Sequence, residues 1–176
     1  MARNVEIKAR LRHPELVRQR AEELADGASA LLTQHDTFYS VPTGRLKLRV
    51  FPEGSGELIS YRRSDEQGPK TSEYHLARTS TPKDLHVVLD HALGVRRVVE
   101  KRRILLMHGR TRIHLDEVKG LGHFLELEVM LNPDESEAEG VRVAHDLLSR
   151  LGVSEEDLVR GAYADLLDKQ EAGSEA

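Results

Sequence analysis

The chain has 176 residues, 26 Lys and Arg against 30 Asp and Glu, a formal net charge of −4, and neither cysteine nor tryptophan. Its length suits one domain with a sizeable core, while the missing cysteine excludes disulfides, thiolate zinc sites and cysteine nucleophiles. The mild negative charge gives no electrostatic reason to expect nucleic acid or a membrane as partner, and no apolar run approaches the ~20 residues of a membrane span, so the expected location is cytoplasmic.

Asn4 to Leu11 alternates in polarity, with Val5, Ile7, Ala9 and Leu11 on one face and Asn4, Glu6, Lys8 and Arg10 on the other, which predicts a strand. Pro14 starts a helix whose short apolar stripe is Val17, Ala21 and Leu24, before Gly27. Thr33 to Val41 is a weaker strand. After the turn at Pro42 to Gly44, Arg45 to Phe51 places Arg45, Lys47 and Arg49 on one face, where three cations repel unless an anion sits among them. Glu57 to Arg63 and Thr71 to Arg78 continue as strands around a loop, Ser64 to Lys70, that contains Gly68-Pro69. Thr81 and Pro82 open a helix to Gly94. Arg97 to Met107 is a long strand that aligns Lys101 and Arg103 with Val99 and Leu105.

The most informative stretch is Arg112 to Met130, two strands joined by a turn at Val118 to Gly122. Its even positions include Arg112, His114, Asp116, Glu126 and Glu128; its odd positions Ile113, Leu115, Leu125, Leu127 and Val129 are apolar, with Glu117 the exception. Three carboxylates on one strand face suit a hard divalent cation such as Mg²⁺ or Mn²⁺, and a solvated strand surface would show the same alternation. Asn132-Pro133-Asp134-Glu135 reads as the start of a helix to Leu151, and Ser154 as the cap of a last helix through Leu167. The expected domain is 1–168, with a frayed tail over 169–176.

About seven strands thus repeat a charged face backed by an apolar one, in an α+β chain. A closed barrel with a hydrated interior fits, and so does an open sheet with helices on one side. The gathered cations suit phosphate oxygens, yet no GxxxxGK[ST] loop, GxSxG elbow or HExxH pair occurs. His35, His75, His114 and His123 read as hydrogen-bonded neighbours, and Lys119 as solvated.

The segments NVEIKARL, RLKLR, ELISYRR, VVEKRR, IHLDEV and GLGHFLELEV, in this order and spacing, resemble the CYTH superfamily of class IV adenylate cyclases, thiamine triphosphatases and triphosphate tunnel metalloenzymes. The resemblance covers nearly the whole chain. It implies an eight-stranded antiparallel β-barrel with helices packed outside, a triphosphate tunnel that uses Mg²⁺ or Mn²⁺ in a monomer or homodimer. It assigns Lys8, Lys47, Arg49, Arg63, Lys101 and Arg103 to the triphosphate, with Lys8, Arg49, Lys101 and Arg103 as the catalytic cations. Glu6, Asp116, Glu126 and Glu128 would hold the metal. Asn4 stands where the first glutamate of the family's ExExK motif is expected. The implied activity is hydrolysis of inorganic, nucleoside or thiamine triphosphate. The alternatives are cyclisation of ATP to cyclic AMP and a non-catalytic polyphosphate- or nucleotide-binding module. Few aromatics are present to stack a base, with Tyr39, Tyr61 and Tyr74 the candidates, so inorganic triphosphate is expected to be a better substrate than ATP.

Overall fold

The computed structural model describes residues 2–63 and 69–174. Among these residues eight antiparallel strands form: β1 (Ala2–Arg10), β2 (Ala30–Tyr39), β3 (Arg45–Val50), β4 (Gly56–Arg63), β5 (Lys70–Thr79), β6 (Val95–His108), β7 (Thr111–Val118) and β8 (Gly122–Met130). They close into a barrel in the order β1-β5-β4-β3-β2-β6-β7-β8. Because β1 pairs with β5 on one side and β8 on the other, no strand edge is left open, and the alternative of an open sheet is excluded. Four helices accompany the barrel among the described residues: α1 (Pro14–Leu24), α2 (Pro82–Leu93), α3 (Glu137–Leu151) and α4 (Tyr163–Ser174). None is long and apolar enough to cross a membrane. Most of the loop read over 64–70 lies outside the described residues.

Alternation along the strands sends one set of side chains outward. Val5, Ile7 and Ala9 of β1, Ile113 and Leu115 of β7, and Leu125, Leu127 and Val129 of β8 are buried on the outer surface beneath α1 and α3. Val17 and Ala21 of α1 and Ala144, Leu147, Leu148 and Leu151 of α3 complete this core, each large side chain contributing roughly 1.5–3 kcal/mol by its burial. Helix α3 lies so close to β1 that a Cβ at Gly140 would come within 2.7 Å of Val5 Cγ2. Gly152 then ends α3 in the left-handed conformation, φ 71°, its N–H donating to the carbonyls of Leu148 and Ser149.

Two helix starts differ from the sequence pattern. Asn132 to Glu135 is a separate turn, in which the Asn132 N–H donates to the Glu135 carboxylate and the Glu135 N–H to the Asn132 carbonyl. Ser136 is the true N-cap of α3, its hydroxyl accepting from the Glu139 N–H. Ser154 caps only a 3-10 turn, Glu155–Asp157, because the chain then runs extended against β1, with Leu158 bridged to Ala9 and the Val159 N–H donating to the Lys8 carbonyl. Helix α4 starts later, and it stays helical through Ser174 where a frayed tail was expected from 169. Arg97 holds it there, donating to Asp168 and Glu171, while residues 175–176 lie outside the description.

The inward face is not charged throughout. At one end, Phe38 of β2, Val99 of β6, Val118 of β7 and Phe124 of β8 occupy inward positions and pack around Tyr163 and Ala164 of α4. Phe124 and Tyr163 meet edge to face with ring centroids 5.1 Å apart. The start of α4 therefore fills one end of the barrel with an apolar plug.

Candidate active site

Above the plug the barrel encloses a cavity of about 580 Å³. Its size lies in the range of about 300–1,000 Å³ typical of small-molecule sites. Cross-strand pairing sets the order of its charges. One row across β1, β8 and β7 is Lys8, Glu126 and His114, and the next is Glu6, Glu128 and Arg112. Lys8 Nζ lies 3.3 Å from Glu126 Oε2, and Arg112 Nη1 lies 3.4 Å from Glu128 Oε2. One ligand atom each from His114, Glu126 and Glu128 falls within 4.8 Å of the others. The two carboxylates suit Mg²⁺ or Mn²⁺, and the imidazole nitrogen is a donor that Mn²⁺ accepts more readily. Glu6, the neighbour of Glu128 in register, also lines the cavity and stands beside this group.

Asp116 is placed differently. Its side chain is fully buried, accepting from Arg103 Nε at 2.7 Å and Arg103 Nη2 at 2.6 Å, and from the Tyr163 hydroxyl at 2.8 Å. Burial alone would raise its carboxyl, but Arg103 and Lys101 outweigh burial and hold it below the usual carboxylate range. Asp116 therefore aims Arg103 and ties it to the plug.

The remaining cations are held by anions and rings. Lys8 Nζ sits 4.0 Å from the centroid of the Tyr163 ring, and Lys101 Nζ 5.1 Å. On β3, Lys47 donates to Asp36 at 2.8 Å, and Arg49 donates to the same carboxylate through Nε at 2.7 Å and Nη2 at 2.8 Å. Asp36 supplies the anion for two of the three cations of β3, and Asp165 for the third. Asp36 is 1% exposed, and although burial favours its neutral form, Lys47 and Arg49 keep its carboxyl well below the ordinary range. Burial, reinforced by Arg103, pulls Lys101 down to about 7. Arg45 and Arg10 are drawn to the plugged end, Arg45 donating to Asp165 and Arg10 to the Leu121 carbonyl. Arg63 ends β4, and its side chain lies outside the described residues.

Sequence reasoning missed Asp36 and Tyr163, and it named Tyr61 and Tyr74 without the apolar wall to which they belong. Asp36 shares parity with Gln34 and Phe38 in β2 and pairs in register with Arg49, a signal available once β2 and β3 are joined as a hairpin. Tyr163 follows an irregular segment and carries no periodic signal. The wall is made by Ile59 and Tyr61 of β4 beside Leu76 and Tyr74 of β5, all lining the cavity on the side of the barrel across from β6 and β7.

Residues 2–163 match the family model of the CYTH domain, and the chain belongs to the CYTH family. No curated protein matches the sequence. Among solved structures, the PH1012 protein of Pyrococcus horikoshii OT3 is similar at 23% identity and a TM-score of 0.81, over 93% of this chain and 98% of that one. A candidate adenylate cyclase from Vibrio parahaemolyticus matches at 20% identity and a TM-score of 0.74, covering 94% and 97%. A candidate adenylyl cyclase from Hippeastrum, for which a dominant triphosphatase activity is described, matches at 15% and 0.61, covering 90% and 91%. At these identities the likeness is one of fold.

Proposed function

We propose that this protein is a divalent-metal-dependent enzyme that hydrolyses triphosphate compounds in the barrel. The observation that carries the reading is the gathering of both kinds of charge around one cavity: Lys47, Arg49, Lys101 and Arg103 of β3 and β6 line it together with Glu126 and Glu128 of β8. Membership of the CYTH family supports it. The cations Lys8, Lys47, Arg49, Arg63, Lys101 and Arg103 bind and orient the phosphate oxygens, and Glu6, Glu126 and Glu128 face the metal. Arg103 reaches the substrate already aimed by Asp116, and Lys47 and Arg49 by Asp36, so little reorganisation accompanies binding. Bound Mg²⁺ or Mn²⁺ supplies charge neutralisation and an activated water. The terminal phosphoryl group leaves as orthophosphate, and the same cations hold the charge that develops on the departing diphosphate.

One observation favours a second reading, cyclisation of ATP. The wall of Ile59, Tyr61, Tyr74 and Leu76 gives a flat group a surface that inorganic triphosphate would leave unused. A product assay on the purified protein with ATP and with inorganic triphosphate, with and without EDTA, separates these possibilities. Orthophosphate release abolished by EDTA is expected. Activity undiminished by EDTA removes the metal, and stoichiometric cyclic AMP and pyrophosphate from ATP install the cyclase. The ratio of kcat/KM for the two substrates measures what the wall contributes.

A further inference from the structure

We infer that His114 is a nitrogen ligand of the metal, completing with Glu126 and Glu128 a site that favours Mn²⁺ over Mg²⁺. The inference deepens the metal dependence proposed above and rests on it. His114 is 4% exposed, and its Nδ1 is buried with no hydrogen-bond partner. A buried polar ring atom left so is destabilising, so such atoms ordinarily find a partner. This one points at carboxylates: Nδ1 lies 3.8 Å from Glu128 Oε1, and Glu126 is the direct cross-strand neighbour of His114. A separation of 3.8 Å is too long for a hydrogen bond and falls between the two ligand–ligand distances that an octahedral ion sets, so both atoms are within a small side-chain adjustment of one ion. With bonds of about 2.1 Å, ligands on an octahedral ion stand about 3 Å apart when adjacent and about 4.2 Å apart when opposite.

The chain's own departure on β1 points the same way. Asn4, aligned with Met130 at the end of β8, brings a neutral amide where the family resemblance expects a carboxylate. Its Oδ1 is likewise buried without a hydrogen-bond partner. Asn4 brings no charge to β1, and the group of possible ligand atoms lies on β7 and β8, where His114 supplies a nitrogen. Imidazole ranks Mn²⁺ and Co²⁺ above Mg²⁺, whose preference is for oxygen and retained water.

The test is pulsed EPR on the full-length protein with Mn²⁺ and a non-hydrolysable triphosphate analogue, accompanied by Mg²⁺ competition. A ¹⁴N coupling from a directly bound nitrogen is expected in the wild type and absent in His114→Gln, with circular dichroism checking the fold of the variant. Mn²⁺ should bind about tenfold or more tightly than Mg²⁺ in the wild type, and the ratio should collapse in the variant. Bound Mn²⁺ with oxygen ligands only overturns the inference while sparing the metal-dependent reading, and this wild-type spectrum decides even if the variant does not fold. A nitrogen coupling that persists in a folded variant assigns another histidine and also overturns it. Failure of Mn²⁺ to bind at all sinks both this inference and metal dependence.

Discussion

The two ends of the barrel interior are built from the same alternation and do opposite things. At the plugged end the inward positions hold Phe38, Val99, Val118 and Phe124 around Tyr163, and their burial stabilises the fold. In the cavity the inward positions hold Lys47, Arg49, Lys101 and Arg103 with Asp36, Asp116 and Glu126, ions whose desolvation is only offset by one another. One end is an ordinary core. The other is a charged chamber of ions held by one another. Tyr163 joins the two, its ring in the plug and its hydroxyl on Asp116.

The sharpest way to break this comparison is a pair of substitutions read with and without inorganic triphosphate. Phe124→Ala should lower stability by about 3–5 kcal/mol in urea unfolding, and saturating triphosphate should add the same increment to variant and wild type. Asp36→Ala should also cost about 3–5 kcal/mol in the empty protein, because Lys47 and Arg49 are left buried without their counter-charge. Triphosphate should recover part of that loss, since its oxygens replace the carboxylate. Equal recovery in the two variants would erase the distinction between core and chamber.

Next in size is chemistry without stability. Glu128→Gln should lower kcat roughly a hundredfold or more while moving Tm little, because Glu128 is half-buried and its nearest cation contact is 3.4 Å. A variant that melts early and turns over normally would make Glu128 a structural acid.

The most gradual effect is a slope in pH. Lys101 titrates near 7 in the folded chain against 10.5 when free, so between those values the unfolded chain binds the extra proton. Its contribution therefore makes stability rise with pH across that window, after the full cost below about pH 7. Lys101→Met should flatten the slope seen by chemical denaturation from pH 7 to 10. Saturating triphosphate should flatten it too, by favouring the ammonium. An unchanged slope in Lys101→Met would assign the titration elsewhere.

How much of this was legible in sequence depended on the range of the interaction. Period-two alternation gave the strands and put Lys8, Lys47, Arg49, Lys101, Arg103, Glu126 and Glu128 on one set of faces, because a pleated strand assigns its faces locally. The outer core was legible for the same reason. Val5, Ile7, Leu125 and Leu127 had to be covered, and two amphipathic helices were available to cover them. The resemblance to the CYTH superfamily supplied what alternation left open, the closure of the barrel.

Only the tertiary structure decided which like-faced residues meet. Asp116, Glu126 and Glu128 look equivalent in a hairpin, yet Arg103 and Tyr163 enclose Asp116 while His114 joins the other two. Asp36 finds Lys47 and Arg49 through the β2–β3 register, and Tyr163 reaches the interior from the far end of the chain. Periodicity tells a side chain which way to point. Register and barrel closure, which depend on hydrogen bonds between distant segments, tell it what it will find there.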